Sequence, residues 1–224
     1  MRAWLVALGL VLGLAVAVEA DDMAERLASY LRAREAGAVG AVRGQAWSEP
    51  ARPSGPPVPD SSVSVLLLPY SAEFEAQLDA ARAGLRESVK GVGEAVARVE
   101  AARAAYESAV SFAGGGELIR GEVSDEQGRV RIGAIPEGDW LLLAWKEHGH
   151  STKKFRVPAA EARRYPNVPS SVEYSAVSYW RMRLTVRPGQ TTETTLTDRS
   201  VWMTAIKERL GFPDRAAPSA PQRR

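Results

Sequence analysis

Residues 71–112 constrain this chain more than any other stretch. They hold no proline, thirteen alanines fall between Ala72 and Ala113, and charges recur every three or four positions. Alanine is the strongest helix former, and that spacing sets opposite charges on one side of a helix, so the segment predicts helix. Ser71 stands where an N-cap belongs, Glu73 and Glu75 lie at the positive end of the dipole, and Gly114-Gly115-Gly116 closes the run. Pairs such as Asp79 with Arg82 and Glu94 with Arg98 mark its wet side.

The dry side is more informative. Leu78, Ala81, Leu85, Ser88, Val92, Ala95, Val99, Ala102, Tyr106 and Ala109 alternate by three and four, which is a seam that requires a partner. One helix of about 60 Å paired with another chain satisfies it, and so does an antiparallel hairpin folded at Gly91-Val92-Gly93. Each interior glycine costs about 1 kcal/mol in a helix. If the strand-like segments on either side share a sheet, the insert must return to its starting point, which favours the hairpin.

Those flanking segments read as strands. Val63–Leu68 precedes the insert and Leu118–Val123 follows it, and Val39, Val42, Gly44 and Ala46 give a weaker pattern over 38–47. Between these lie Pro50, Pro53, Pro56, Pro57 and Pro59, read as an extended loop without regular structure. Further on, Asp125-Glu126-Gln127-Gly128 is a turn, Arg129–Ile132 alternates with period two, and Pro136-Glu137-Gly138 turns again. Trp140–Trp145 is apolar on both faces, so both faces must be covered, and only the insert is large enough to cover the second. Phe155–Val157, Trp180–Val186 and Thr191–Leu196 complete the strands.

The stretch from Glu122 to Ala144 resembles the carboxypeptidase regulatory-like domain, a transthyretin-like or prealbumin-like β-sandwich. The resemblance lies in Asp125 with Gly128, the alternating Val130 and Ile132, Ile135-Pro136 with Gly138, then Trp140, Leu142 and Ala144. More loosely it extends over residues 38–200, from Val42-Arg43-Gly44 to Pro188-Gly189-Gln190-Thr191. It implies a mainly β fold with an α insert: a transthyretin-like antiparallel β-sandwich plus a two-helix antiparallel hairpin inserted between the second and third strands. It also implies a non-catalytic accessory, binding or folding module. The 42-residue insert at 71–112 is where this chain departs from the family, which has a plain loop there.

The N-terminus bears on location. Arg2, the uncharged apolar run Ala3–Val18 and the small-x-small triplet Val18-Glu19-Ala20 follow the order of a secretory signal peptide. The expected organisation is a signal peptide at 1–20, cleaved or kept as an anchor; a short helix at 21–37, with Met23, Leu27, Tyr30 and Leu31 on one face; the sandwich at 38–200; and a C-terminal segment at 201–224 ending in a disordered tail. The protein is expected to be secreted or periplasmic. Without a single cysteine it has no disulfide, no thiolate chemistry and no lipoprotein acyl site. A net charge of +2 argues against nucleic acid as a partner.

Candidate chemistry is sparse. Glu147, His148 and His150 are an incomplete metal set in what reads as a solvated turn. Ser151-Thr-Lys-Lys154 matches Ser-x-x-Lys only by chance, because it precedes a strand and its companion motifs are absent. Lys153, Lys154, Arg156, Arg163 and Arg164 with Tyr165 form a basic edge. No catalytic residue, cofactor or metal site is expected. Trp47, Tyr165, Tyr174, Tyr179, Trp180 and Trp202 are large rings outside the apolar core run. Of these, Tyr165, Tyr174, Tyr179 and Trp180 are the candidate ligand or partner surface. The leading expectation is a module that binds a protein partner, or another copy of itself, through the helical insert; the alternative is a carbohydrate-binding module whose exposed rings stack on a polysaccharide.

Overall fold

The structure, a computed structural model, describes residues 23–50, 55–83, 85, 89–154, 164, 169 and 171–211. In chain order the elements are α1 (residues 23–35), β1 (Val39–Ser48), β2 (Val58–Pro59), β3 (Ser64–Pro69), α2 (Ala72–Ala83), α3 (Val89–Val110), β4 (Arg120–Val123), β5 (Arg129–Pro136), β6 (Gly138–Lys154), β7 (Ser171–Val186), β8 (Thr191–Thr197) and β9 (Met203–Gly211). They build two sheets. The first has β1 at its centre, between β8 on one side and β5 with β2 on the other; the second runs β4-β3-β6-β7-β9.

The fold class is the expected one, a β-rich sandwich with a helical hairpin inserted between strands. One pairing departs from an all-antiparallel scheme, because β8 runs parallel to β1. The proline-rich stretch also contributes more than a loop: Val58 and Pro59 pair with Ser48 and Trp47. Proline is tolerated at such an edge because no ladder N–H is needed from it there.

The inner faces of the two sheets make one core. Val42, Ala46, Val130, Ile132, Ile135 and Leu196 of the first sheet pack in a common cluster with Val65, Leu67, Leu142, Ala144 and Trp180 of the second. Two polar contacts cross between the layers: Trp180 Nε1 donates to Thr197 O at 2.8 Å, and Thr194 Oγ1 reaches Met182 Sδ at 3.4 Å. The Asp125–Gly128 turn is built as its sequence predicts, with Gly128 at φ 73°. A Cβ there would lie 2.1 Å from Ala46 O, so only glycine fits. At one end α1 closes the core, its Tyr30 meeting Trp140 edge to face at 5.1 Å.

The helical hairpin covers the outer face of the second sheet. Phe74, Leu78, Ala81, Val96, Val99, Tyr106 and Val110 are buried with Leu66, Leu68, Leu141, Leu143 and Tyr179. Arg181 on β7 pairs with Asp79 at 2.9 Å and Glu75 at 3.6 Å, and Lys207 on β9 pairs with Glu100 at 2.8 Å. The central strands are thus covered on both sides, as the apolar run Trp140–Trp145 requires. The hairpin turns earlier than expected: α2 ends at Ala83 and α3 begins at Val89, with Gly91 and Gly93 inside it. Burial of the Ala95, Val96 and Val99 stripe outweighs two helix-interior glycines at about 1 kcal/mol each.

The strands run longer than their apolar segments. Residues 148–150 are not a turn but part of β6, where the pairing with β7 shifts register between His148 and Ser151. Gly149 takes φ 54° there, so the strand bulges instead of ending. Ser151–Lys154 likewise belongs to β6, β7 starts at Ser171, ahead of the expected strand Trp180–Val186, and the C-terminal segment adds β9 along β7. The expected strand Phe155–Val157, the signal segment and the tail from residue 213 lie outside the described residues.

Candidate functional site

A two-sheet sandwich has four sheet faces. Two are the core, and the hairpin covers a third. No described element covers the outer face of the first sheet, and alternation of exposed and buried residues along β1, β8 and the Arg129–Ile132 half of β5 creates it. Its residues are set by register. Arg131, Arg43 and Glu193 lie side by side across β5, β1 and β8. Arg129, Gln45 and Thr195 form the next rung, and Pro59, Trp47 and Thr197 the third. Trp47 is 37% exposed, one of few large apolar side chains in the described residues that face solvent.

The charges on this face are unevenly matched. Arg43 Nη1 lies 3.3 Å from Glu193 Oε1. Asp125 is committed to its turn: its carboxylate accepts from the Gln127 and Arg129 backbone N–H groups at 2.9 and 2.8 Å and from Arg129 Nε at 2.9 Å. The Arg129 backbone N–H, with its side chain in support, holds the Asp125 carboxyl below its ordinary value. Gln45 Nε2 donates to Gln127 O at 2.7 Å, which steadies the middle rung. Arg131 makes no ion pair among the described residues, although it sits directly opposite Arg43. Arg43, Arg129, Arg131, Asp125 and Val130 line a shallow depression of about 470 Å³.

Such a surface has an aromatic plane, amide and hydroxyl groups, and cations with forked donors. It can hold a flat, hydroxylated ligand by stacking and hydrogen bonding. It contains no nucleophile with a positioned base.

The expected surface residues do not come together. Tyr179 and Trp180 are 7% and 2% exposed and present no ring face to solvent. The first lies under the hairpin and the second fills the sandwich, because adjacent residues of a strand buried on both sides enter opposite cores. Tyr174 is half-buried on the long β6-β7-β9 ribbon, paired across to Ser151 and Glu208. Tyr165 lies outside the described residues. Trp202 is half-buried between the Arg181 and Arg82 guanidinium groups, 4.9 and 5.5 Å from its ring. Trp47 was visible in the sequence as an odd-numbered neighbour of inward Val42, Gly44 and Ala46. What marks it as open is that no described element covers its side of the sheet.

The seam foreseen for a partner helix is occupied within the chain. Leu78, Ala81, Ala95, Val99 and Tyr106 are buried, and Leu85, Val92 and Ala102 pack partly buried against the same core. Most of the seam is thus spent on this chain's own sheet, the cover that Trp140–Trp145 requires, while Ala109 at its far end stays exposed. No group of three His, Asp or Glu side chains suited to a metal occurs among the described residues. His148 Nε2 instead lies 3.1 Å from Ser178 Oγ, and no described helix is long and apolar enough to cross a membrane.

Fold and face together define a two-sheet β-sandwich with a helical hairpin on one side and an open, arginine- and tryptophan-bearing sheet on the other. No known family matches the chain, and no curated protein does. Among solved structures it is similar to a Pseudomonas aeruginosa protein whose proposed role is carbohydrate binding. That match has 17% identity and a TM-score of 0.36, covering 71% of this chain and 88% of the other. It is more distantly similar to the pilus backbone protein of Streptococcus pneumoniae, at 14% identity and a TM-score of 0.23 over 70% of this chain and 41% of that one.

Proposed function

We propose that this chain is a non-catalytic binding module of the cell envelope or exterior that holds a carbohydrate on the open face of its first sheet. The observation that carries this reading is Trp47, exposed near the end of the central strand on the sheet face that no described element covers, and flanked by Pro59 and Thr197. An indole held by strand pairing offers a rigid plane to the apolar side of a sugar ring, and Gln45, Thr195 and Thr197 supply hydrogen-bonding groups along its edge. Export is supported by the signal-like order of residues 2–20. The turn at Asp125–Gly128 and the tight β5–β6 connection through Pro136 and Gly138 support membership of the carboxypeptidase regulatory-like group, whose domains are accessory rather than catalytic.

Affinity gel electrophoresis over a panel of soluble neutral and acidic polysaccharides tests this. Retardation by at least one of them, lost in Trp47→Ala and kept in Tyr174→Ala, is the expected result. Retardation lost in Tyr174→Ala alone moves the site to the β6-β7-β9 ribbon. If no polysaccharide retards the protein, carbohydrate binding is abandoned.

A further inference from the structure

Arg43 and Arg131 are paired across β1 and β5 on the open face. Like charges directly opposite one another in a sheet are destabilising, so the arrangement costs stability, and no ion pair among the described residues offsets it at Arg131. Glu193 relieves only Arg43, and Asp125 is used up on Arg129 and its own turn. Three guanidinium groups against two carboxylates leave one positive charge uncompensated, at the rim of the 470 Å³ depression. Guanidinium is the side chain best shaped to take a carboxylate through two parallel hydrogen bonds.

Resting on the carbohydrate reading above, we infer that the ligand is an acidic polysaccharide. A uronate carboxylate sits between Arg43 and Arg131, while another ring of the same chain stacks on Trp47. The spacing fits an extended ligand. Arg43 and Trp47 are four residues apart on one strand, about 13 Å at 3.3 Å per residue, so one glycan lying along β1 spans both. A nucleic acid is not favoured, because polyphosphate binding draws on many cations, whereas this face has a surplus of one and the whole chain a net charge of +2.

The experiment measures affinity of the purified protein and its variants in gels containing polygalacturonate, alginate, neutral galactan or double-stranded DNA, with melting temperature recorded for each variant. The expected result is retardation by a polyuronate well above that by galactan or DNA. It falls about tenfold in Arg131→Gln, as loss of one charge-assisted contact implies, falls further with Arg43→Gln added, and disappears in Trp47→Ala, with the melting temperature unchanged in Trp47→Ala and raised in Arg131→Gln, which relieves the like-charge pair. Retardation by galactan equal to that by the polyuronates, unaffected by Arg131→Gln, overturns the acidic ligand and leaves the carbohydrate reading standing. Polyuronate retardation that survives Trp47→Ala and is matched by DNA overturns both, since the face is then a general polyanion surface. No retardation by any polysaccharide also overturns both.

Discussion

The rings of Phe74 on α2 and Tyr106 on α3 lie parallel, 3° between planes and 4.2 Å between centroids. This stack clamps the two helices together where both meet the sheet, and the Tyr106 hydroxyl donates to Pro69 O at 2.8 Å. Burial pushes the Tyr106 phenol up to about 12, so it remains a neutral donor throughout the physiological range. Tyr106→Phe leaves the Pro69 carbonyl buried without that donor and is expected to cost about 1–2 kcal/mol in urea unfolding. Phe74→Ala removes the stack and opens a cavity, at about 3–5 kcal/mol. A hairpin held mainly by its surface ion pairs predicts near-neutral results for both.

Two tryptophans, one on β7 of the second sheet and one on β1 of the first, should behave oppositely. Trp180 is buried and its Nε1 donates to Thr197 O, so Trp180→Ala is expected to destabilise by about 3–5 kcal/mol. Trp47→Ala removes an exposed ring and should change stability by no more than about 0.5 kcal/mol. Urea midpoints with unchanged slopes decide this, and comparable losses at the two positions would show Trp47 to be a packing residue.

Acid should weaken the fold through particular turns. Hydrogen bonds from Arg183 and Thr185 hold the Asp139 carboxyl below its ordinary value, and the Arg129 backbone N–H leads those that do the same for Asp125. A depressed folded pKa means the unfolded chain binds protons first as pH falls. The contribution is therefore full above the ordinary aspartate value of about 4 and is lost as pH drops through the lower folded values. Unfolding midpoints measured from pH 7 to pH 2.5 should stay level and then decline below about pH 4. The double variant Asp125→Asn, Asp139→Asn should be less stable at pH 7 and decline less steeply; an unchanged acid limb would remove these two groups from the account.

Much of the sandwich was legible because its signals are local. The Asp125–Gly128 turn, the alternation over Arg129–Ile132 and the alanine-rich insert each encode backbone geometry within a few residues. The seam at Leu78, Ala81, Ala95 and Val99 was also legible as a buried stripe, and its partner followed from Trp140–Trp145, an apolar run that needs cover on its second face; the place of the hairpin turn was not legible, because Gly91 and Gly93 have turn composition while burial of Ala95, Val96 and Val99 carries the helix through them. The length of β6 and β7 was hidden for a related reason. His148-Gly149-His150 has turn composition, yet pairing on both sides carries the strand through it as a bulge, and β9, with exposed Ile206 and Leu210, has no periodic pattern strong enough to stand alone.

The candidate face divides in the same way. By itself the sequence determined that Arg43, Gln45 and Trp47 point opposite to Val42, Gly44 and Ala46, since side chains alternate along any strand. The apolar run Trp140–Trp145 already called for the insert on its own sheet; only the tertiary structure decided that Arg131, Glu193 and Thr197 stand beside Arg43, Gln45 and Trp47, on a face that no described element covers. Register and coverage depend on which distant segments pair, and that choice belongs to the whole chain's packing energy rather than to any one stretch of it.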